Sequence, residues 1–157
     1  MCAVDQGTAG SGRSPALAPS PLAGPAVLMP ELRWRQDFPG ELRQLRVLRQ
    51  RLRLLLPHCP ALRDVLSVAT ELATNAVVHT RSGRQGSFAV EILHAQKTVR
   101  VTVSDSGAPC VPQVIDNPFA ENGRGLLLVS ALSLEVGYSG GCAGRTVWAE
   151  IRCEEKT

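Results

Sequence analysis

The sequence predicts an α+β two-layer sandwich, with helices packed on one face of a mixed, mostly antiparallel sheet. Three observations carry this expectation. Apolar residues recur at helical spacing in some segments and alternate with polar ones in others. The segments run strand, helix, helix, strand, strand, helix, strand, strand. Two of the strand pairs are joined by short turns, as hairpins are. An order of this kind gathers the helices on one side of the sheet.

Residues 1–30 form a Pro/Ala/Gly/Ser tract with Pro15, Pro19, Pro21, Pro25 and Pro30. Such a stretch buries too little apolar surface to offset its ordering entropy, so a disordered tail is expected there, with one domain over 31–157. The domain opens with ELRWRQDF, where Leu32, Trp34, Gln36 and Phe38 alternate with Arg33, Arg35 and Asp37 like an edge strand. A helix follows, with a stripe of Leu42, Leu45, Leu48, Leu52 and Leu55, and Pro57 ends it. Its arginines at 43, 46, 49, 51 and 53 fall mostly off the stripe and read as a solvated face. The second helix, ALRDVLSVATELATNAVVHT, repeats apolar residues from Leu62 to Val77. SFAVEILHA and KTVRVTVSD make a hairpin around Gln96. The Gly/Pro/Asn-rich connection after Asp105 is long enough to read as a lid. RGLLLVSAL is a short helix, and SLEVGYS and GRTVWAEIRC close the chain as two strands around Gly140 and Gly141.

Composition narrows the function classes. With 157 residues, 44% hydrophobic and 20% charged, the chain has the makings of one globular core. No apolar run approaches the ~20 residues that span a bilayer, and neither signal peptide nor anchor is read. A net charge of +3 is too weak and dispersed to argue for direct nucleic-acid binding. Five scattered cysteines without a C-x-x-C pair suit a reducing cytoplasm better than a disulfide framework, and they offer no zinc-site spacing.

Three clusters hold chemistry. Glu71 and Asn75 lie four residues apart, hence on one helix face. Asn75 offers a carbonyl suited to a hard cation such as Mg²⁺, and Glu71 could take a proton from a hydroxyl. Asp105, at a strand's end, can accept from an exocyclic amine, and Gly107 would let a flat base approach the backbone. Gly123, Arg124, Gly125 and Leu126 begin a helix, whose unpaired N–H groups and dipole can seat phosphate. No Walker loop and no dinucleotide fingerprint occur. Taken singly, each cluster has a bland reading: a solvated helix face, a common turn, an ordinary helix start.

Together, and in this order, they resemble the GHKL, or histidine-kinase-like, ATPase family with the Bergerat nucleotide fold. ELATNAVVH is similar to its N box, DSGAP to its first glycine box, NGRGLLLV to its second, and GRTVWAEI to its final box. The resemblance spans roughly residues 31–153. The small anti-sigma-factor serine/threonine kinases are the most similar members. The resemblance implies ATP and Mg²⁺ as cofactors, with Asn75 on the metal, Asp105 on the adenine amine and Gly123 to Gly125 around the phosphates. It also implies Thr146 near the base and Glu71 as general base, with His79 contacting phosphate or capping the helix end. Implied partners are a sigma factor and an anti-anti-sigma-type antagonist, phosphorylated on Ser or Thr, and a homodimer. The chain has no room for a phosphoacceptor-histidine domain. Two rival expectations remain: an ATP-binding interaction module without phosphotransfer, and a protein-contact domain that has lost nucleotide. Glu71 argues against the first, since binding alone needs no base. Asp105 and the glycines argue against the second.

Overall fold

The computed structural model describes residues 31–79, 83–107 and 123–154. The tail over 1–30 and most of the connection read as a lid lie outside the described residues. The elements are β1 (Leu32–Pro39), α1 (Gln44–Leu55), α2 (Leu62–His79), β2 (Ser87–Ala95), β3 (Thr98–Asp105), α3 (Gly123–Leu132), β4 (Glu135–Gly141) and β5 (Gly144–Arg152). The strands form one five-stranded sheet in the order β1-β2-β3-β5-β4. Every pairing is antiparallel, so the described sheet contains no parallel neighbour. The expected α+β architecture is the observed one.

Period-two alternation sets the two faces of the sheet. Val99, Val101 and Val103 of β3 and Val147, Ala149 and Ile151 of β5 point into one core with Phe38, Phe88, Val90 and Ile92. Fully burying such a side chain stabilises the fold by about 1.5–3 kcal/mol. α2 covers this face, packing on β3 and β5, with α1 and α3 beside it. Its Ala69, Ala73 and Ala76 are buried and small, which lets the helix lie close to the sheet. Thr70 and Thr74 return their hydroxyls to the carbonyls of Leu66 and Thr70, at 2.6 and 2.7 Å, and so satisfy themselves within the helix. α1 buries Leu48 and Leu52, while Leu42 precedes it and is 56% exposed. Arg43, Arg46, Arg51 and Arg53 are exposed, as a solvated face requires, and Arg49 turns to Thr70 Oγ1 at 3.4 Å.

The other face of the sheet carries no described helix. There Trp148 lies across Gly137, where an added Cβ would come 2.6 Å from ring atom Cε2. The Arg100 guanidinium sits 4.1 Å above the indole and also pairs with Glu150 at 3.1 Å.

One expectation is corrected. Cys59, ahead of α2, and Cys153, just past β5, are disulfide-bonded, with Cα atoms 6.2 Å apart. Their sequence separation of 94 residues belongs to no local motif, so only the folded chain reveals the pair. No helix among the described residues is long and apolar enough to cross a membrane.

Candidate functional site

The site forms where α2 crosses the ends of β3 and β5 and meets the start of α3. A small cavity there is lined by Leu72, Asn75 and Ala76 of α2, Val103 and Asp105 of β3, Leu126 of α3, and Arg145 and Val147 of β5. Asn75, Asp105 and Leu126, distant in sequence, thus converge. They do so because helical periodicity turns Leu72, Asn75 and Ala76 to one side of α2, and because Asp105 continues the inward parity of Val101 and Val103.

Asp105 is the polar centre of this cluster. Its side chain is 4% exposed, and its Oδ1 accepts a hydrogen bond from the Gly107 N–H at 2.7 Å. Gly107 has φ +77°, in the left-handed region that glycine enters without penalty. A Cβ there would overlap the carbonyl oxygen of Cys142 and approach the Gly141 oxygen to 2.8 Å. The turn between β4 and β5 therefore presses on Gly107, and Gly107 in turn aims Asp105.

Glu71, one turn before Asn75, reaches the first turn of α3. Its Oε2 occupies the space where a side chain at Gly125 would begin, and its Cδ would lie 3.4 Å from that Cβ. The carboxylate thus sits on the bare α-carbon of the G-x-G start. Gly123 opens α3, Arg124 is exposed, and Leu126 is 3% exposed, anchoring the helix start in the core. His79 is the last residue of α2 and is exposed.

Thr146 lies elsewhere. It alternates with Arg145 and Val147, so its side chain is on the opposite face of the sheet from Asp105, where its hydroxyl shares a 3.0 Å hydrogen bond with Ser104. The β5 residue that shares the face with Asp105 is Arg145. It is 7% exposed, stands directly across from Asp105 in the β3–β5 register, and places Nε 3.8 Å from Oδ1. Sequence reasoning missed Arg145. Counting in twos back from Ile151, Ala149 and Val147 would have found it.

A larger cavity, about 740 Å³, contains none of these groups. It lies between the start of α2, the outer side of α3 and the end of β5, lined by Ala61, Asp64, Leu128, Leu132 and Arg152 among others.

The family model of the histidine kinase-like ATPase domain matches residues 38–151, from the end of β1 to the end of β5. The chain belongs to the histidine kinase-like ATPase domain family. Every site residue named above falls inside that match. Among solved structures, the chain is similar to the RsbU and RsbW domains of Rv1364c from Mycobacterium tuberculosis, with a TM-score of 0.61 and 22% identity. The match covers 82% of this chain and 34% of the other, so this chain spans about a third of that protein's length. At that identity the likeness speaks for the fold. No curated protein matches the sequence. As a histidine kinase-like ATPase domain, the chain has nucleotide as its ligand class.

Proposed function

We propose that this chain binds ATP with Mg²⁺ at the α2–β3–β5 site and transfers the γ-phosphoryl group to a serine or threonine of a small antagonist protein. In this reading it is an anti-sigma-type kinase, which holds a sigma factor when the antagonist is absent or phosphorylated. The observation that carries the reading is the convergence of Asn75, Asp105 and the Gly125-bound Glu71 around one start of helix. Asp105, acceptor-only when ionised, suits the adenine amine. The Asn75 carbonyl suits a hard cation that takes few protein ligands. Among the described residues no group of three or more His, Cys, Asp or Glu gathers to hold a metal, so nucleotide and water oxygens would complete the shell around Asn75. Mg²⁺, when bound, neutralises triphosphate charge. The first turn of α3 offers N–H groups to phosphate, and the missing side chain at Gly125 gives Glu71 its place beside them. From there Glu71 would take the proton of the attacking hydroxyl as its oxygen bonds to phosphorus and ADP leaves.

Two alanine variants, assayed in parallel, test this. Asn75→Ala should impair Mg²⁺-dependent ATP binding. Glu71→Ala should bind ATP like the wild type yet transfer phosphate ~10²–10⁴-fold more slowly, the usual worth of a positioned base. Full transfer by Glu71→Ala would sink the kinase mechanism. Tight ATP binding by a wild type that transfers nothing to any partner would leave the interaction-module reading in its place.

A further inference from the structure

We propose that the outer face of α1 is a docking surface for an acidic, leucine-bearing helix of another protein. Between Glu41 and Asp64 the chain carries six arginines and no carboxylate. Arg46, Arg51 and Arg53 are exposed, and none of them has an ion pair or hydrogen bond among the described residues. A helix that only meets water gains from unlike charges three or four residues apart and loses from like ones. Here Arg46 and Arg49 are three apart and Arg49 and Arg53 four, while Arg46 stands in the first turn, at the positive end of the helix dipole. That repulsion has no counterweight among the described residues. The same face also holds apolar surface. Arg46, Gln50 and Leu54 follow at four-residue steps as one exposed ridge, and Leu42 leads into it from the preceding turn. Leu42 is 56% exposed and Leu54 77%.

Charge and spacing name the occupant. The chain itself does not supply it. Glu31, Asp37, Glu41, Glu91, Glu150 and Glu154 are already ion-paired. The sequence outside the described residues holds only Asp5, Asp116, Glu121 and Glu155, in three separate segments. A second copy brings the same set. A lipid surface would take its hold from an apolar stripe opposite the arginines, and on α1 that stripe, Leu48 and Leu52, is buried in the core. A phosphate backbone would meet the guanidiniums but cover neither leucine. A partner helix with carboxylates one and two turns apart matches the rise of about 10 Å from Arg46 to Arg53, and it sets its leucines beside Leu42 and Leu54. α1 gives no residue to the cavity of Asn75 and Asp105, so this surface stands apart from the nucleotide reading.

Fluorescence anisotropy with the full chain tests this, using a labelled alanine-based helix of about 20 residues that bears Glu and Leu on one face. Wild type should bind it, and bind it less tightly at ~0.5 M salt than at ~0.05 M, because exposed charges are screened. The same peptide with Gln for every Glu should not bind. Arg46→Glu with Arg53→Glu changes two exposed positions and keeps good helix formers. That double variant should bind the acidic peptide roughly tenfold more weakly while melting at the wild-type temperature. Leu54→Gln should weaken binding roughly fivefold through lost apolar contact. No binding of the acidic peptide by wild type overturns the proposal, as does binding that the charge reversal leaves unchanged. Full affinity in Leu54→Gln overturns it too, since charge attraction alone would then account for the contact. Tighter binding of single-stranded RNA or of phosphatidylglycerol vesicles, lost in the same reversal, puts that polyanion in place of the protein helix. Should the double reversal fail to fold, Arg46→Gln with Arg53→Gln replaces it in the same titration. None of these outcomes depends on ATP binding, so failure here and failure of the nucleotide reading are told apart.

Discussion

Gly125 shows how much a missing side chain can specify. The Glu71 carboxylate stands where a methyl group would stand, so Gly125→Ala forces the end of a flexible side chain to move, while α3 gains helix propensity worth about 1 kcal/mol. Stability and function should therefore part. The variant is expected to unfold at or above the wild-type temperature, yet to transfer phosphate ~10²-fold more slowly, the cost of misplacing a reacting group by about 1 Å. A variant with undiminished transfer would show that the Glu71–Gly125 contact has no part in catalysis. Glu71, Asn75 and Asp105 were legible in the sequence because helix and strand periods locate them. Thr146, which the resemblance puts near the base, lies on the face opposite Asp105, and Arg145 shares the Asp105 face; a glycine-entered strand gives no clear parity until its buried residues are counted. On β5 a shift of one residue moves a side chain through the sheet, and so from the face of the site to the opposite face.

Among the elements, the junction of β3 with the β4–β5 turn joins the sheet to the site. The two hairpins, the α2 periodicity and the alternation of β1 were all plain in the sequence, because local spacing decides them. The sheet order was not, since β3 pairs with β5 across 41 intervening residues at the register Ser104 to Thr146. That long-range pairing brings Cys142 and Gly141 over Gly107. Gly107→Ala would meet two penalties: a left-handed backbone, about 1–2 kcal/mol, and overlap with a backbone carbonyl that cannot swing aside as Glu71 can. The expected outcome is a melting temperature lowered by several degrees, measured by circular dichroism. An unchanged midpoint would mean that the turn is not held against β3 in solution.

At the level of the whole molecule, one core is closed by α2 and fastened by the Cys59–Cys153 bond. Closing a loop of this length stabilises a fold by roughly 4–5 kcal/mol in the chain-entropy account, a large share of the ~5–15 kcal/mol typical of a domain. Reduction, or Cys153→Ser, should shift the urea midpoint of unfolding downward without altering the slope in proportion. A midpoint unchanged by Cys153→Ser would show that this bond carries no weight in stability. Cysteine spacing alone pointed away from any bridge, because only a pairing made by the fold brings the end of β5 to the start of α2.

That bond also has a topological meaning. Glu71, Asn75, Asp105, Gly107, Gly125 and Arg145 all lie between residues 59 and 153, within one closed covalent ring. A single cut in the peptide chain anywhere on that ring leaves one molecule, still threaded through the sheet by its own sulfur link. Oxidised, the ring closed by this bond can be opened once without being divided. Reduced, it is a string, and the same cut makes two pieces.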